Sequence, residues 1–405
     1  MDTTDSNVVP LGRHPTPDEL MTRARALVPI LQERAQRCED QRRVPEETIA
    51  DFERAGLLRM SQPARYGGYE LGWDVLCDIA ELLAAADGSQ AWLQHIFADH
   101  TVLVATFPAQ AQDEVWGKNH STITSASFDP SGRATRVEGG FLFSGRHGFS
   151  SGVDYADWRI CGGMIVEKDG LDGPHFFLVP KSDTEVIDDW ETMALEGTGS
   201  KTFVVTDKFI PSHRFLDGRQ SRSGTGPGTS INKAAVYRAP RFGGTAAAGF
   251  SALAVGMARG VLAEWLANTG PRTSRGVAIG AQQGMQILAA RSAAEIDAAH
   301  ALYQTIVRGG MRKLEEGGTE SSAERLTGRR NIAFACQLSL KAGTRLFNAA
   351  GGSALYLKGA MQRQYRNLLG AVAHRGVNWE TAAVDYGSAL LEQHGAPRSG
   401  PHAKA

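Results

Sequence analysis

Two adjacent hydroxyl groups, those of Ser150 and Ser151, stand between an aromatic ring, Phe149, and a glycine, Gly152. A hairpin pattern precedes them and an apolar run, residues 158–166, follows them. The hydroxyls are therefore expected at a strand end or bend, where side chains and backbone N–H groups can meet a ligand. A Gly/Ser-rich turn without a ligand is the alternative, and these residues alone favour it.

Histidines are the other side chains of interest, because an imidazole can exchange a proton near neutral pH. His95 and His100 belong to one helical segment in the N-terminal part, and His374 lies near the C-terminus. The first two are five residues apart and do not share a helix face, so a metal site is not expected. A lone histidine is otherwise usually a packing or surface residue.

Composition excludes several classes of protein. The chain has 405 residues and a formal net charge of −1, so no surface for nucleic acid is expected. The four cysteines form no CxxC pair, and the N-terminus has no signal-peptide pattern, which together favour a reducing cytoplasm. Residues 242–258 carry no formal charge but are rich in Gly and Ala. We expect a buried helix there and no membrane span.

No dinucleotide fingerprint is visible, since no Gly-x-Gly-x-x-Gly stands between a strand and a helix. The segment from Gly197 to Thr202 is superficially like a phosphate loop, but Ser200 stands where a glycine is needed before Lys201. We interpret it as a turn into a strand. A redox cofactor must therefore be bound in another way, and any chemistry of NADH is expected on a different protein.

The elements that must position these groups follow an α+β pattern. Thr16 and Pro17 mark the start of the first helix, and apolar spacing predicts late helices over 324–347 and 362–391. The predicted organisation is a disordered N-terminus (1–15), a helical domain (16–118), a β-barrel or sandwich (119–216), a flexible loop (217–245), a four-helix bundle (246–392) and a disordered tail (393–405).

The segment from Gly145 to Trp158 resembles the flavin-side segment of the acyl-CoA dehydrogenase superfamily, whose usual form is Gly-x-Lys-x-Trp-Ile-Thr-Asn followed by Ala-Asp. Its Ser-Ser-Gly-x-Asp-x-Ala-x-Trp pattern is more similar to the two-component flavin-dependent monooxygenases that share the fold, oxygenase components acting on p-hydroxyphenylacetate and on phenolic steroid-degradation intermediates. The resemblance extends over about residues 16–392. It implies a helical domain, a β-barrel domain and a C-terminal four-helix bundle, with the 217–245 loop on the substrate side.

The resemblance implies a role for each residue of the serine turn. The hydroxyl of Ser151 would hydrogen-bond the flavin N5, Phe149 would lie beside the flavin ring, and Ser150 would contribute its backbone. A partner on N5–H slows the loss of that proton, which would otherwise let hydrogen peroxide leave a C4a-hydroperoxyflavin.

Two further segments are implied to approach the flavin of a neighbouring subunit. Arg272 corresponds to an arginine that reaches a flavin phosphate, for which the forked guanidinium is suited. Arg275 replaces the usual Phe of that segment, and a solvated arginine is the alternative. Gly351 and Gly352 match a glycine-rich loop, whose alternative is an ordinary helix C-cap.

His374 and His100 distinguish the monooxygenase branch from the dehydrogenases. At the place of His374, acyl-CoA dehydrogenases of the commonest type carry a catalytic glutamate, which is absent here. The resemblance implies that His374 stabilises the hydroperoxide and assists proton transfer. His100 lies 51 residues before Ser151, as in the hydroxylases, and is implied to contact the substrate and take the phenol proton; His95 competes for this role. Ser125, or else Ser127, is implied to contact the phenol.

The sequence thus predicts an aromatic hydroxylase that uses O₂ and reduced FMN supplied in trans by a separate NAD(P)H:flavin reductase, with FAD as the less favoured flavin. A small aromatic substrate, a homotetramer and a cytoplasmic location are expected, without nucleic acid, membrane or metal. Two alternatives stay open. One is N- or S-oxygenation by the same chemistry, and the other is a flavin dehydrogenase with an unmatched base.

Overall fold

The computed structural model describes residues 14–396, so most of the predicted disordered termini lies outside the described residues. Its N-terminal part is helical, as predicted. The first helix begins with a capping box. The side chain of Thr16 accepts from the N–H of Glu19, the side chain of Glu19 accepts from the N–H of Thr16, and Pro17 occupies the first turn. The helices of this part are α1 (Pro17–Asp40), α2 (Glu46–Arg54), α3 (Trp73–Ala84), α4 (Gly88–Val104) and α5 (Ala109–Trp116).

The middle part is one seven-stranded sheet with the order β5-β6-β2-β1-β3-β4-β7. Its strands are β1 (Thr124–Val137), β2 (Gly140–His147), β3 (Trp158–Glu167), β4 (Gly170–Pro180), β5 (Glu185–Ile187), β6 (Thr202–Pro211) and β7 (Phe215–Leu216). The order has two ends, so the sheet is open and the predicted barrel is not closed by hydrogen bonds. The two edge strands are too short to pair along a full seam. The sheet nevertheless curls, since the rings of Phe141 and Phe177 meet at 5.4 Å across it.

One end of the sheet collects the residues that matter for the site. Strand β1 pairs in parallel with β3 and antiparallel with β2, so the starts of β1 and β3 lie beside the end of β2. The turn from Gly148 to Asp157 joins β2 to β3 at that end, and the N–H of Asp157 donates to the carbonyl of Ile123. The serine turn is therefore held at the edge between the sheet and the N-terminal helices.

The segment 217–245, predicted as a flexible loop, contains helix α6 (Gly218–Ser223) and two short 3-10 turns. It packs against the N-terminal helices: Asn232 donates to the carbonyl of Ala105 at 2.7 Å, and Tyr237 donates to that of Ser61 at 2.9 Å. Glycine is needed for close approach, because a Cβ at Gly228 would stand 2.1 Å from the Ala105 oxygen. The glycines that suggested flexibility serve packing at this position.

The C-terminal part is built around α7 (Gly244–Thr269), with α8 (Gln283–Glu315), α9 (Ser322–Ala350), α10 (Ala360–Val372) and α11 (Trp379–Gln393). A small hairpin, β8 (Thr273–Ser274) and β9 (Val277–Ala278), connects α7 to α8. Helix α7 is long and apolar enough to cross a membrane by length and composition, but 67% of its apolar window is buried in the fold. It contacts α3, α8, α9 and α10, as expected for a central bundle helix.

The single helix predicted over 362–391 is wrong, because the structure divides it into α10 and α11. His374 begins a short 3-10 turn between them and accepts from the N–H of Gly376. Asn378 then caps α11 by accepting from the N–H of Thr381. These local side-chain bonds compete with the helix ladder, and they place His374 at a junction instead of along a helix side.

Candidate active site

The hydroxyl of Ser151 is held by a tryptophan of α4. The indole N–H of Trp92 donates to Ser151 Oγ at 3.1 Å, and both side chains are buried. On its other side, Ser151 Oγ lies 2.8 Å from Ser200 Oγ, which lies 2.6 Å from Thr198 Oγ1. Thr198 donates to the carbonyl of Leu195 at 2.7 Å. The predicted serine is thus the first hydroxyl of a buried chain of three.

Sequence reasoning missed Trp92, Thr198 and Ser200 as site residues. Thr198 and Ser200 belong to the segment from Gly197 to Thr202, for which the sequence pattern predicts only a turn into a strand. The residue type carried a signal, because a hydroxyl buried in an apolar site is expected to have a partner. The pairing itself could not be predicted, since Trp92 and Ser151 are 59 residues apart.

Phe149 and Ser150 occupy distinct environments in the same turn. Phe149 has a left-handed φ of 58° and is 78% exposed, with its ring 5.7 Å from that of Trp190. A bulky residue in this conformation is strained, and strain of this kind clusters at functional sites. Ser150 is fully buried and donates its N–H to the carbonyl of Lys201 at 3.2 Å. The arrangement offers a flat exposed ring to a planar ligand, while the N–H of Ser150 is occupied by Lys201.

Gly152 is the residue that lets this turn lie against α4. Its φ is 68°, and a Cβ there would stand 2.4 Å from the ring of Phe97. Both the conformation and the lack of space therefore require glycine.

His374 lies on the same tryptophan as Ser151. Its ring stacks on Phe250 at 4.2 Å and meets the ring of Trp92 edge-on at 5.7 Å. Burial among these rings lowers the pKa of His374 to about 4, so the ring is neutral near pH 7. Its Nδ1 accepts from the N–H of Gly376 at 3.1 Å, which leaves the ring proton on Nε2. His374 therefore presents an N–H donor.

His100 has the opposite tautomer. Its Nδ1 lies 2.9 Å from the carbonyl oxygen of Thr124, which can only accept, so the ring proton is on Nδ1 and Nε2 carries the lone pair. Burial lowers the pKa of His100 to about 4. The ring meets Phe128 edge-on at 5.7 Å. His100 is thus a neutral imidazole that can accept a proton.

His95 has a packing environment that differs from that of His100. Its Nε2 would stand 2.0 Å from a Cβ at Gly249, so the ring lies directly against α7. Burial lowers its pKa to about 4, and its Nδ1 has no hydrogen-bond partner within residues 14–396. These contacts favour His100 over His95 as the proton acceptor.

A buried ion pair fixes the helix that carries His100. Arg241 donates both terminal nitrogens to Asp99 at 2.5 and 2.6 Å, and its guanidinium lies 4.7 Å from the ring centre of Phe128. Burial acts to raise the pKa of Asp99, but the charge and the hydrogen bonds of Arg241, with smaller contributions from His100 and His95, together outweigh burial and hold that pKa below its usual value. The pair joins the 217–245 segment to α4 beside the histidine.

Ser125 lies on the other face of β1 from the group that meets His100. Ala126 packs with the helix-side core and Phe128 contacts His100, while Ser125 pairs in register with Arg159 of β3 on the inner face. Its hydroxyl is buried and has no hydrogen-bond partner among the described residues. The contact of Ser125 with a phenol stays a prediction, and the same alternation applies to Ser127.

Arg272 and the glycine loop are brought together just beyond the C-terminal ends of α7 and α9. Arg272 donates to the carbonyl of Ala350 at 3.0 Å, and its Nη1 would lie 4.0 Å from a Cβ at Gly351. Gly351 is the C-cap of α9, with a φ of 81°, and Gly352 begins the next short turn. Among residues 14–396, no hydrogen bond or ring contact joins Arg272 or Gly351 to Ser151.

Comparisons with known proteins agree with this arrangement. The models of the N-terminal and C-terminal domains of acyl-CoA dehydrogenase match residues 18–118 and 248–379. The oxygenase subunit HsaA of a flavin-dependent monooxygenase from Mycobacterium tuberculosis (strain ATCC 25618 / H37Rv) is 34% identical over 366 residues, which are 89% of this chain and 92% of the relative. The oxygenase component of an FADH₂-dependent resorcinol hydroxylase from Rhizobium sp. (strain MTP-10005) is 30% identical over 384 residues, 92% of this chain and 94% of the relative.

The crystal structure of the HsaA monooxygenase from M. tuberculosis superimposes with a TM-score of 0.89 at 32% identity, over 95% of this chain and 99% of that one. These matches confirm the predicted fold class and the predicted resemblance. The chain belongs to the family of oxygenase subunits of flavin-dependent monooxygenases, which share the fold of the acyl-CoA dehydrogenases.

Proposed function

We propose that this chain is the oxygenase component of a two-component monooxygenase that hydroxylates a small phenol with reduced flavin and O₂. The observation that carries the proposal is the complementary pair of neutral histidines. His100 offers a lone pair on Nε2 and His374 offers a proton on Nε2. A phenol hydroxylation needs both, since one proton leaves the phenol and another must reach the departing oxygen.

The residues of the serine turn fit a flavin. Ser151 offers a buried hydroxyl and Phe149 an exposed ring, which suit the polar rim and flat face of an isoalloxazine, and the backbone of Ser150 is proposed to add to this contact. When bound, the reduced flavin would activate O₂ and deliver one oxygen atom to the substrate. Reduced FMN is the flavin we propose. The FADH₂ dependence in the name of the resorcinol hydroxylase makes reduced FAD the direct comparison.

Each of the three polar side chains would have one task. His100 takes the phenol proton, because a phenolate ring attacks an electrophilic oxygen far more readily than a phenol does. His374 donates its N–H to the oxygen atoms that come from O₂, beside the flavin. Ser151 bonds the flavin N5, and the burial of the site excludes the water that would otherwise promote release of hydrogen peroxide.

Phe128, which meets the ring of His100, is the aromatic wall that we assign to the phenol site, and the contact of Ser125 with the phenol is proposed from the opposite face of β1. Arg272, Gly351 and Gly352 would meet the flavin of a second copy of the chain, since Arg272 bonds the end of α9 and, among residues 14–396, has no hydrogen bond to the serine turn. Exposed apolar side chains follow that loop, where Leu355, Tyr356 and Leu357 are each more than 65% exposed. A homotetramer that covers them, a separate NAD(P)H:flavin reductase and a cytoplasmic location complete the proposal.

The test is to supply reduced FMN or reduced FAD, under ¹⁸O₂, with panels of phenols, amines and thioethers. One ¹⁸O atom in a catechol-type product establishes the proposed reaction, and the flavin that supports it more efficiently is identified at once. Label in an amine or thioether product would establish N- or S-oxygenation instead. Substrate oxidation without label would show a dehydrogenase.

A further inference from the structure

The three buried hydroxyls behind the flavin turn form a chain with only one consistent direction. The chain ends on the backbone carbonyl of Leu195, which can only accept, so Thr198 must donate to it. Thr198 has then used its single proton, and Ser200 must donate to Thr198. Ser151 must in turn donate to Ser200. At the other end the indole N–H of Trp92 can only donate, and it points to Ser151 with the same sense.

The direction determines what Ser151 has left for a ligand. A hydroxyl has one proton and two lone pairs. The proton of Ser151 is committed to Ser200, and one lone pair is committed to Trp92. The second lone pair remains, so towards a ligand the Ser151 hydroxyl is an acceptor and not a donor.

Burial keeps this direction from being reset by solvent. Ser151 is 8% exposed, Ser200 5% and Thr198 1%. Water cannot readily supply an alternative partner to the inner hydroxyls. In a buried site, two hydroxyl oxygens that face each other without a hydrogen between them cost free energy.

The direction of the hydroxyl chain determines which redox state of the flavin can form a hydrogen bond with Ser151. Reduced flavin carries a hydrogen on N5, whereas the N5 of oxidised flavin carries only a lone pair. We propose that Thr198 and Ser200 are positioning residues that hold Ser151 as a hydrogen-bond acceptor and so make the site prefer reduced over oxidised flavin. The inference rests on the proposed binding of flavin at the serine turn.

Thr198→Val tests the proposal, because valine has nearly the shape of threonine and no hydroxyl. Without Thr198 as acceptor, Ser200 is free to donate to Ser151, which then turns its own proton towards the ligand. The ratio of the dissociation constants of oxidised and reduced FMN, measured anaerobically, should fall by about tenfold, as for one neutral hydrogen bond. The midpoint potential of the bound flavin should fall by about 30 mV, the two-electron equivalent of tenfold.

Matched variants separate this role from a general loss of packing. Thr106→Val removes a hydroxyl that also donates to the carbonyl three residues before it at 2.7 Å, and it should leave the ratio unchanged. Thr198→Ser restores the hydroxyl and should restore the wild-type ratio. Ser200→Ala breaks the chain at its middle and should lower the ratio as Thr198→Val does, which provides a second test if that variant does not fold.

Two failures are distinguishable. If the wild-type protein binds reduced FMN but Thr198→Val and Ser200→Ala keep its ratio and potential, the chain of hydroxyls does not set the preference and this inference is wrong while the proposed function stands. If the wild-type protein binds neither form of FMN or FAD, both are overturned.

Discussion

Trp92 and Ser151, on α4 and on the turn after β2, are joined by a hydrogen bond of 3.1 Å from the indole N–H to the hydroxyl. The same indole ring lies 5.7 Å from His374. One tryptophan therefore touches both a group proposed for the flavin N5 and a group proposed for the oxygen side, and it fixes their separation.

Trp92→Phe should keep the aromatic contacts and lose the donor. We expect the free energy of unfolding to fall by about 1 kcal/mol and more hydrogen peroxide to be released per reduced flavin oxidised, because the Ser151 hydroxyl is no longer fixed. Unfolding in urea and a peroxide assay measure the two effects. Trp265→Phe is the matched control for the loss of ring volume, since its buried indole N–H has no hydrogen-bond partner within residues 14–396 and it should release no more peroxide than the wild type. Equal behaviour of both variants would contradict the prediction.

His100→Asn should slow hydroxylation strongly while keeping the fold. The Asn amide can still donate to the carbonyl of Thr124, but it provides no base. We expect kcat to fall by about 10²–10⁴-fold, the usual contribution of a positioned base. His95→Asn, on the same helix and facing Gly249, should keep activity within about tenfold. A larger loss for His95→Asn than for His100→Asn would move the base to His95.

Arg241→Met tests whether the ion pair between Arg241 and Asp99 influences the pKa of His100. It leaves the Asp99 carboxylate buried without its partner and should cost about 3–5 kcal/mol of stability, much of which Asp99→Asn in the same chain should restore. Asp99 acts to raise the pKa of His100 and Arg241 acts to lower it, so the single variant should shift the pKa of His100 upward from about 4. The acidic limb of the kcat profile would then lie at higher pH than in the wild type. An unshifted limb would show that the pair is only structural.

Acid should destabilise the protein between about pH 6.5 and pH 4 through buried neutral imidazoles. Burial lowers their pKa from 6.5 to about 4, so the unfolded chain binds protons first and stability falls by up to about 1.4 kcal/mol per pH unit for each. The residues are His95, His100, His147 and His374. His374 is only half-buried, so it contributes less to the loss of stability. Asp87, whose pKa burial raises to about 6, acts in the opposite direction.

The contribution of one histidine can be isolated at a position outside the active site. His147 stacks between Phe143 and Phe203, so His147→Phe should be tolerated and should make the fall in stability between pH 6.5 and 5 less steep. Thermal unfolding at a series of pH values measures this. An unchanged slope would mean that His147 does not take up a proton on unfolding.

Much of the fold followed from local patterns. Capping residues, turn glycines and apolar periodicity act over a few positions. They therefore predicted the capped start of α1, the hairpin between β1 and β2 and the late helices. The single helix predicted over 362–391 was wrong because two local caps, at His374 and Asn378, interrupt an otherwise helical pattern. The glycines of 217–245 allow close backbone contact with the N-terminal helices, which depends on packing and is not visible in the local pattern.

The order of helical, sheet and helical parts, and the presence of a hydroxyl turn and two isolated histidines, were determined by the sequence itself, since they depend on residue type and short-range spacing. Only the tertiary structure decided how those groups act. The tautomers of His100 and His374 depend on which backbone group each ring nitrogen meets. The direction of the chain behind Ser151 depends on a carbonyl more than forty residues away in sequence, at Leu195. Hydrogen bonds between distant segments set proton positions, and no local pattern encodes which segments will meet.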